Sequence, residues 1–187
     1  MKASVILILS GIFFFVSSAQ AQTEELPGAI HKLSILGLGY QYEGRLSNLD
    51  RYETVAFSAM VDYGFFWSST GQSGGYVGPR VGVEYRNYFN TEKRIHENRR
   101  IDNYSGFYLG APLYGYLTVG SGGGAMGVEG GVSLGFQYCF GKERKGYFQT
   151  SWGLGYGVST LGNGFVFPST GSIGLILETR PLKTPPQ

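Results

Sequence analysis

Residues 126–140 read Met-Gly-Val-Glu-Gly-Gly-Val-Ser-Leu-Gly-Phe-Gln-Tyr-Cys-Phe. Met126, Val128, Val132, Leu134, Phe136, Tyr138 and Phe140 fall on one side of an extended chain, and Gly127, Glu129, Gly131, Ser133, Gly135, Gln137 and Cys139 on the other. Side chains of a strand alternate between its two faces, so this is a strand with one apolar face and one face of small, polar and charged residues. Six further stretches repeat the period: 36–45, 54–67, 76–86, 107–117, 148–158 and 172–178. In the first of them Leu36, Leu38, Tyr40 and Tyr42 oppose Gly37, Gly39, Gln41, Glu43 and Arg45. Clusters of turn-forming residues separate the stretches. Alternation sustained over such lengths is the signature of transmembrane β-barrel strands, whereas no later segment offers the apolar run of a membrane-spanning helix.

Period alone does not say which face points outward, because a soluble ligand-binding barrel has the same period with its apolar face inside. Composition decides. Of 187 residues 31 are glycine, and charged residues make up 15%, where a soluble domain carries about 25%. Turned to water, the polar face would offer glycine, serine and tyrosine with only Glu43, Arg45, Asp62, Arg80, Glu84, Arg86, Glu129 and Glu178 as charges. Turned inward, glycine relieves crowding and the charges pair. All eight lie opposite the apolar face, an outcome that chance would produce roughly once in 256 with a side-chain period of two. One Arg or Lys facing mid-bilayer lipid costs about 2–4 kcal/mol, which supplies the selection. The expected fold is therefore all-β: a closed antiparallel transmembrane β-barrel of about eight strands, seven of them clearly readable. Bacterial barrels have even strand numbers, and two segments are open for the eighth strand, 161–167 or 30–38.

Ahead of the barrel, Lys2 precedes an apolar run from Val5 to Val16 and the Ala19-Gln20-Ala21 triplet, the pattern of a cleaved secretory signal over 1–21. Residues 22–31 read as a linker, 32–179 as the barrel and 180–187 as a polar, proline-containing tail. The single cysteine, Cys139, excludes an intramolecular disulfide and reads as a small lumenal filler. A formal net charge of +2 is too near balance for nucleic-acid binding.

The run Glu84-Tyr85-Arg86-Asn87-Tyr88-Phe89-Asn90 through Lys93-Arg94, with Asn103-Tyr104-Ser105-Gly106-Phe107-Tyr108 and Gln41-Tyr42-Glu43, resembles small outer-membrane β-barrel proteins of the Bacteroidetes type across residues 32–179. The resemblance implies a strand end, a basic turn and a strand start in that order, and location in the outer membrane. Such barrels commonly end on an aromatic residue of the final strand; this chain instead runs past Glu178 into its tail.

Glu43, Asp62, Arg80, Glu84, Arg86, Glu129 and Glu178 are the expected lumenal network. It has two readings, a plug that satisfies buried charges and holds strand register, or a gate whose opening passes small solutes. Lys93, Arg94, Arg99, Arg100, Lys142, Arg144 and Lys145 lie in loops that share one side by alternation with Arg51, opposite turns without charge. If the first readable strand rises from the periplasm, these basic loops are extracellular and meet lipopolysaccharide phosphates; an extra N-terminal strand reverses the side. Tyr40, Tyr42, Trp67, Tyr85, Tyr138, Tyr147 and Trp152 suit interfacial aromatic girdles, and Tyr108, Tyr114 and Tyr116 suit the interior. His96 with Ser105 is the single pairing available for a Ser–His hydrolase, His96-Glu97 lacks the second histidine of H-E-x-x-H, and Gly122-Gly123-Gly124 lacks the Lys of a phosphate-binding loop. The expected protein is thus a non-catalytic envelope barrel with outer-membrane lipid as its partner and no cofactor, metal or nucleic acid. The mature chain is expected to stay folded and monomeric only with an amphiphile present, checked by sedimentation of the refolded protein with and without detergent.

Overall fold

The computed structural model describes residues 27–46, 52–67, 73–97, 102–120, 123–141, 143 and 145–180. The segment read as an export signal, Arg51, Arg99, Arg100, Lys142, Arg144 and residues 181–187 lie outside the described residues. Nine strands follow in order: β1 (Ala29–Leu36), β2 (Gly39–Arg45), β3 (Glu53–Trp67), β4 (Ser73–Asn87), β5 (Gly106–Gly120), β6 (Gly123–Phe140), β7 (Gly146–Ser159), β8 (Gly162–Val166) and β9 (Ser169–Arg180). A short helix α1 (Thr91–His96) and a 3-10 turn at Asp102–Tyr104 lie between β4 and β5.

Each strand pairs antiparallel with its neighbour, and β9 pairs with both β7 and β1, so the sheet closes into a ring. β7 meets β8 at Gly155↔Val166 and β9 at Trp152↔Ser169, which is one continuous register. β8 and β9 are therefore one side of the wall interrupted at Phe167 and Pro168, where proline has no N–H to give the ladder. The ring thus has eight wall positions.

Of the two segments open for the missing strand, 30–38 supplies it. The stretch 36–45 is not one strand: the chain reverses at Gly37 and Leu38, with Gly37 at φ +76° in the left-handed region glycine tolerates. Residues 161–167 instead extend the final strand. The linker expected over 22–31 gives way at Ala29, because Ile30 is fully buried and pairs with Glu43.

Side chains are distributed inside out relative to a water-soluble barrel. Lys32, Glu43, Glu84 and Arg86 are buried, while Val132, Leu134, Trp152, Val81 and Leu113 are about half exposed or more. A recurrent packing unit explains the glycine content of the inner face. Tyr108 lies across Gly135, Tyr114 across Gly82 and Tyr116 across Gly127, each a directly paired cross-strand neighbour. A Cβ at any of these glycines would run into the tyrosine lying over it. The narrow lumen forces its aromatic rings flat against the wall, and only glycine leaves room.

Gly135→Ala must push the buried Tyr108 ring off the wall. We expect a loss of about 1–3 kcal/mol, the usual cost of overpacking, read as a lower urea midpoint for the detergent-folded protein.

Candidate functional site

Residues from β1, β2, β3, β4, β6 and β7 converge on one buried polar layer. Lys32 Nζ donates to Glu43 Oε2 at 2.7 Å, to Gln137 Oε1 at 2.8 Å and to Gln149 Oε1 at 3.3 Å, which uses its three protons. Arg86 donates from Nε and Nη2 to Glu84 Oε2 at 2.8 and 2.6 Å, and from Nη1 to Glu43 Oε2 at 3.1 Å. Glu43 Oε1 accepts from Thr54 Oγ1 at 2.7 Å and from the Tyr88 hydroxyl at 2.8 Å, and Glu84 Oε1 accepts from Ser133 Oγ at 2.9 Å. Two cations against two carboxylates leave this layer neutral. Lys32, Glu43 and Gln137 have no exposure at all, so the layer closes the lumen to water.

Beneath it, toward the strand ends that carry Ala29 and Arg180, Ile30, Tyr88, Tyr104 and Tyr108 form an apolar seal. The Tyr104 hydroxyl donates to the Pro27 carbonyl, and burial pushes its phenol above the ordinary value. Gln137 Nε2 donates to the Asn103 carbonyl at 2.7 Å, so the polar layer also grips the connection between β4 and β5. Cys139, fully buried against Tyr147 and Ile176, fills space beside the seal.

On the other side of the neutral layer, Arg80 donates to Asp62 at 3.3 Å and pairs with Glu129, while its guanidinium lies 3.9 Å from the Tyr114 ring centroid. Arg86 lies over Tyr108 in the same way at 4.7 Å. Glycine, tyrosine and arginine are thus stacked twice, Gly135–Tyr108–Arg86 and Gly82–Tyr114–Arg80, and each cation gains a ring face in a low-dielectric site. One guanidinium against two carboxylates leaves a net charge of −1 in this second cluster. It faces a cavity of about 810 Å³ whose inner surface runs from Arg86 and Gln149 past Arg80 to the opposite barrel end.

Six of the seven residues expected in the lumen are inside: Glu43, Asp62, Arg80, Glu84, Arg86 and Glu129. Glu178 is a correction. The register jumps from His31↔Glu178 to Lys32↔Ile176, so Leu177 is an extra residue that turns Glu178 to an exposed position near the barrel end. Tyr147 is a second correction, buried on the inner face rather than set in an outer girdle. Lys32 is the member that sequence reading missed. Its signal is the alternation Ile30, Lys32, Ser34 within 30–38, one of the two segments open for the eighth strand.

Of the basic residues, Lys93 is exposed on α1 and 3.9 Å from Glu97, and Lys145 is exposed beside Glu143. The hydrogen bond from Lys145 holds the Glu143 carboxyl below its usual value. Lys93, Arg94 and Lys145 lie at the same end of the ring as Ala29 and Arg180, the start of β1 and the end of β9. His96 is exposed on α1, whereas Ser105 is buried with its Oγ accepting the Cys139 N–H at 3.2 Å.

No family model matches the chain, and neither a curated protein nor a solved structure does.

Breaking a buried ion pair strands its partner without water, at a cost of about 3–5 kcal/mol. Arg86→Met is expected to lose that much in urea unfolding of the detergent-folded protein, and Arg86→Met with Glu84→Gln to recover part of it.

Proposed function

We propose that this chain is a non-catalytic barrel of the bacterial outer membrane, structural or surface-interacting in role, with membrane lipid as its main partner. One observation carries the reading. Exposed apolar side chains recur on the outer face of the long strands, among them Phe57, Val81, Leu109, Val132, Leu154 and Leu175, while ionised groups sit within. In water that arrangement wastes burial on the wrong side; in hydrocarbon it is the favoured one. The resemblance of 32–179 to small Bacteroidetes-type barrels, carried by 84–94, 103–108 and 41–43, and the signal-like N-terminus support the same location.

A plug suits the neutral layer better than a gate. Every charge in it has a partner, and opening it would separate four ions held away from water. A narrow transport barrel is the second reading, favoured by the cavity that reaches the Arg80 cluster from one end.

The extra strand β1 reverses the side of the basic loops. With both ends of the barrel wall in the periplasm, Lys93, Arg94 and Lys145 face the periplasm, and contact of these loops with lipopolysaccharide phosphates drops out of the proposal.

A folded barrel should migrate differently in gels before and after boiling; a single mobility would defeat the reading. In planar bilayers wild type and Arg80→Ala should both be silent, and steps appearing in Arg80→Ala would favour the gate. Lys145→Cys in a Cys139→Ser background should resist an impermeant maleimide on intact cells and react once the outer membrane is permeabilised.

A further inference from the structure

The barrel wall is not of even height. β1 and β2 have 8 and 7 residues, while β3, β4 and β5 have 15 each and β6 has 18. The β2–β3 ladder stops at Gly39↔Met60, with one further bond from the Val61 N–H to the Leu38 carbonyl. Beyond it β3 continues to Trp67 paired only with β4, among the described residues. On the other side of this gap β1 leaves β9 at Leu36↔Ile173, and among the described residues β8 is paired only with β7. Among the described residues the wall above the β1–β2 turn therefore lacks two strands, an arc of three steps of about 4.8 Å each.

This notch is a side mouth of the cavity. The turn (Leu36, Gly37), the β3 edge (Val61, Tyr63) and the β8–β9 break (Phe167, Pro168) all line it. Leu36, Tyr63 and Phe167 are exposed there and give the mouth an apolar rim. Past the rim the lining turns polar, with the Asp62–Arg80–Glu129 cluster and the side chains of Tyr76 and Tyr116. An 8-residue strand at ordinary rise and tilt climbs about 20 Å, close to the far edge of a ~25 Å apolar band. Free strand edges are not tolerated against hydrocarbon, so the notch belongs at the depth where polar head groups begin.

We propose that the notch is a lateral binding site for a lipid of the surrounding membrane whose head group carries an amine. The acyl chain stays outside along the apolar rim. The head enters the cavity, where its ammonium meets the uncompensated negative charge of Asp62 and Glu129 around Arg80. An anionic head is disfavoured at the same place. The inference rests on the membrane reading of the preceding subsection.

The test uses the full barrel in an uncharged detergent, with bound lipid counted by native mass spectrometry after addition of lysophosphatidylethanolamine or lysophosphatidylglycerol. One amine lipid per barrel is expected, retained about ten-fold better than the anionic one, the ratio that a coupling of ~1.4 kcal/mol gives. D62N/E129Q should erase the preference. Thr170 lines the cavity from the inner face of β9, paired with the buried Ser151, so T170W fills the cavity without replacing the carboxylates and should lose both lipids. Free phosphoethanolamine should not compete, which separates a membrane lipid from a soluble phosphate ester. Equal retention of the two lipids by wild type, or undiminished retention by T170W, overturns the proposal. If wild type shows no boiling-dependent gel shift, the membrane reading itself fails and takes the proposal with it, and the two failures are thereby told apart.

Discussion

Glu43 is the point on which the interior turns. It accepts from Lys32, Arg86, Thr54 and Tyr88, and so ties β1, β3 and β4 to its own strand β2 around one fully buried carboxylate. A charge removed from water is tolerable only when it is paired and hydrogen-bonded on all sides. Those partners arrive only if every strand keeps its register, because a slip of one residue would turn each inward side chain outward. The network is thus a constraint on the alignment of the ring more than a source of net stability.

That constraint dictates what else the lumen holds. Long cations need flat surfaces to lie on, and Tyr108 and Tyr114 provide them, each pressed against a glycine on the neighbouring strand. The apolar seal of Ile30, Tyr88, Tyr104 and Tyr108 keeps water from the network on one side, and the connection carrying Asn103 is bonded into it. On the other side the seal is absent and the cavity begins. The barrel is therefore asymmetric along its axis, closed and basic at the end of its first and last strands, open and free of loop charge among the described residues at the other.

Much of this was legible in the order of residues. A run such as 126–140 has a single reading as a strand, and the placement of Asp62, Arg80, Glu84, Arg86 and Glu129 on its inner side or its equivalents follows from phase alone. What phase does not carry is a break in phase. The bulge at Leu177 sends Glu178 outward with no local mark in the sequence, and the turn at Gly37–Leu38 sits between apolar residues that continue the alternation on either side. Tyr147 misled through residue type: a tyrosine near a strand end suits a girdle, but its phase against Phe148 places it inside.

The amino-acid sequence by itself determined that this chain forms long two-faced strands and that the charged face must be hidden, because side-chain period and transfer cost are local properties. Only the tertiary structure decided the strand count at the N-terminus, the entry of Lys32 into the network, the end of the ring that bears the basic loops and the gap above the short hairpin. Those depend on which strands meet and where their ladders stop, and pairing between segments distant in sequence leaves no periodic trace along the chain.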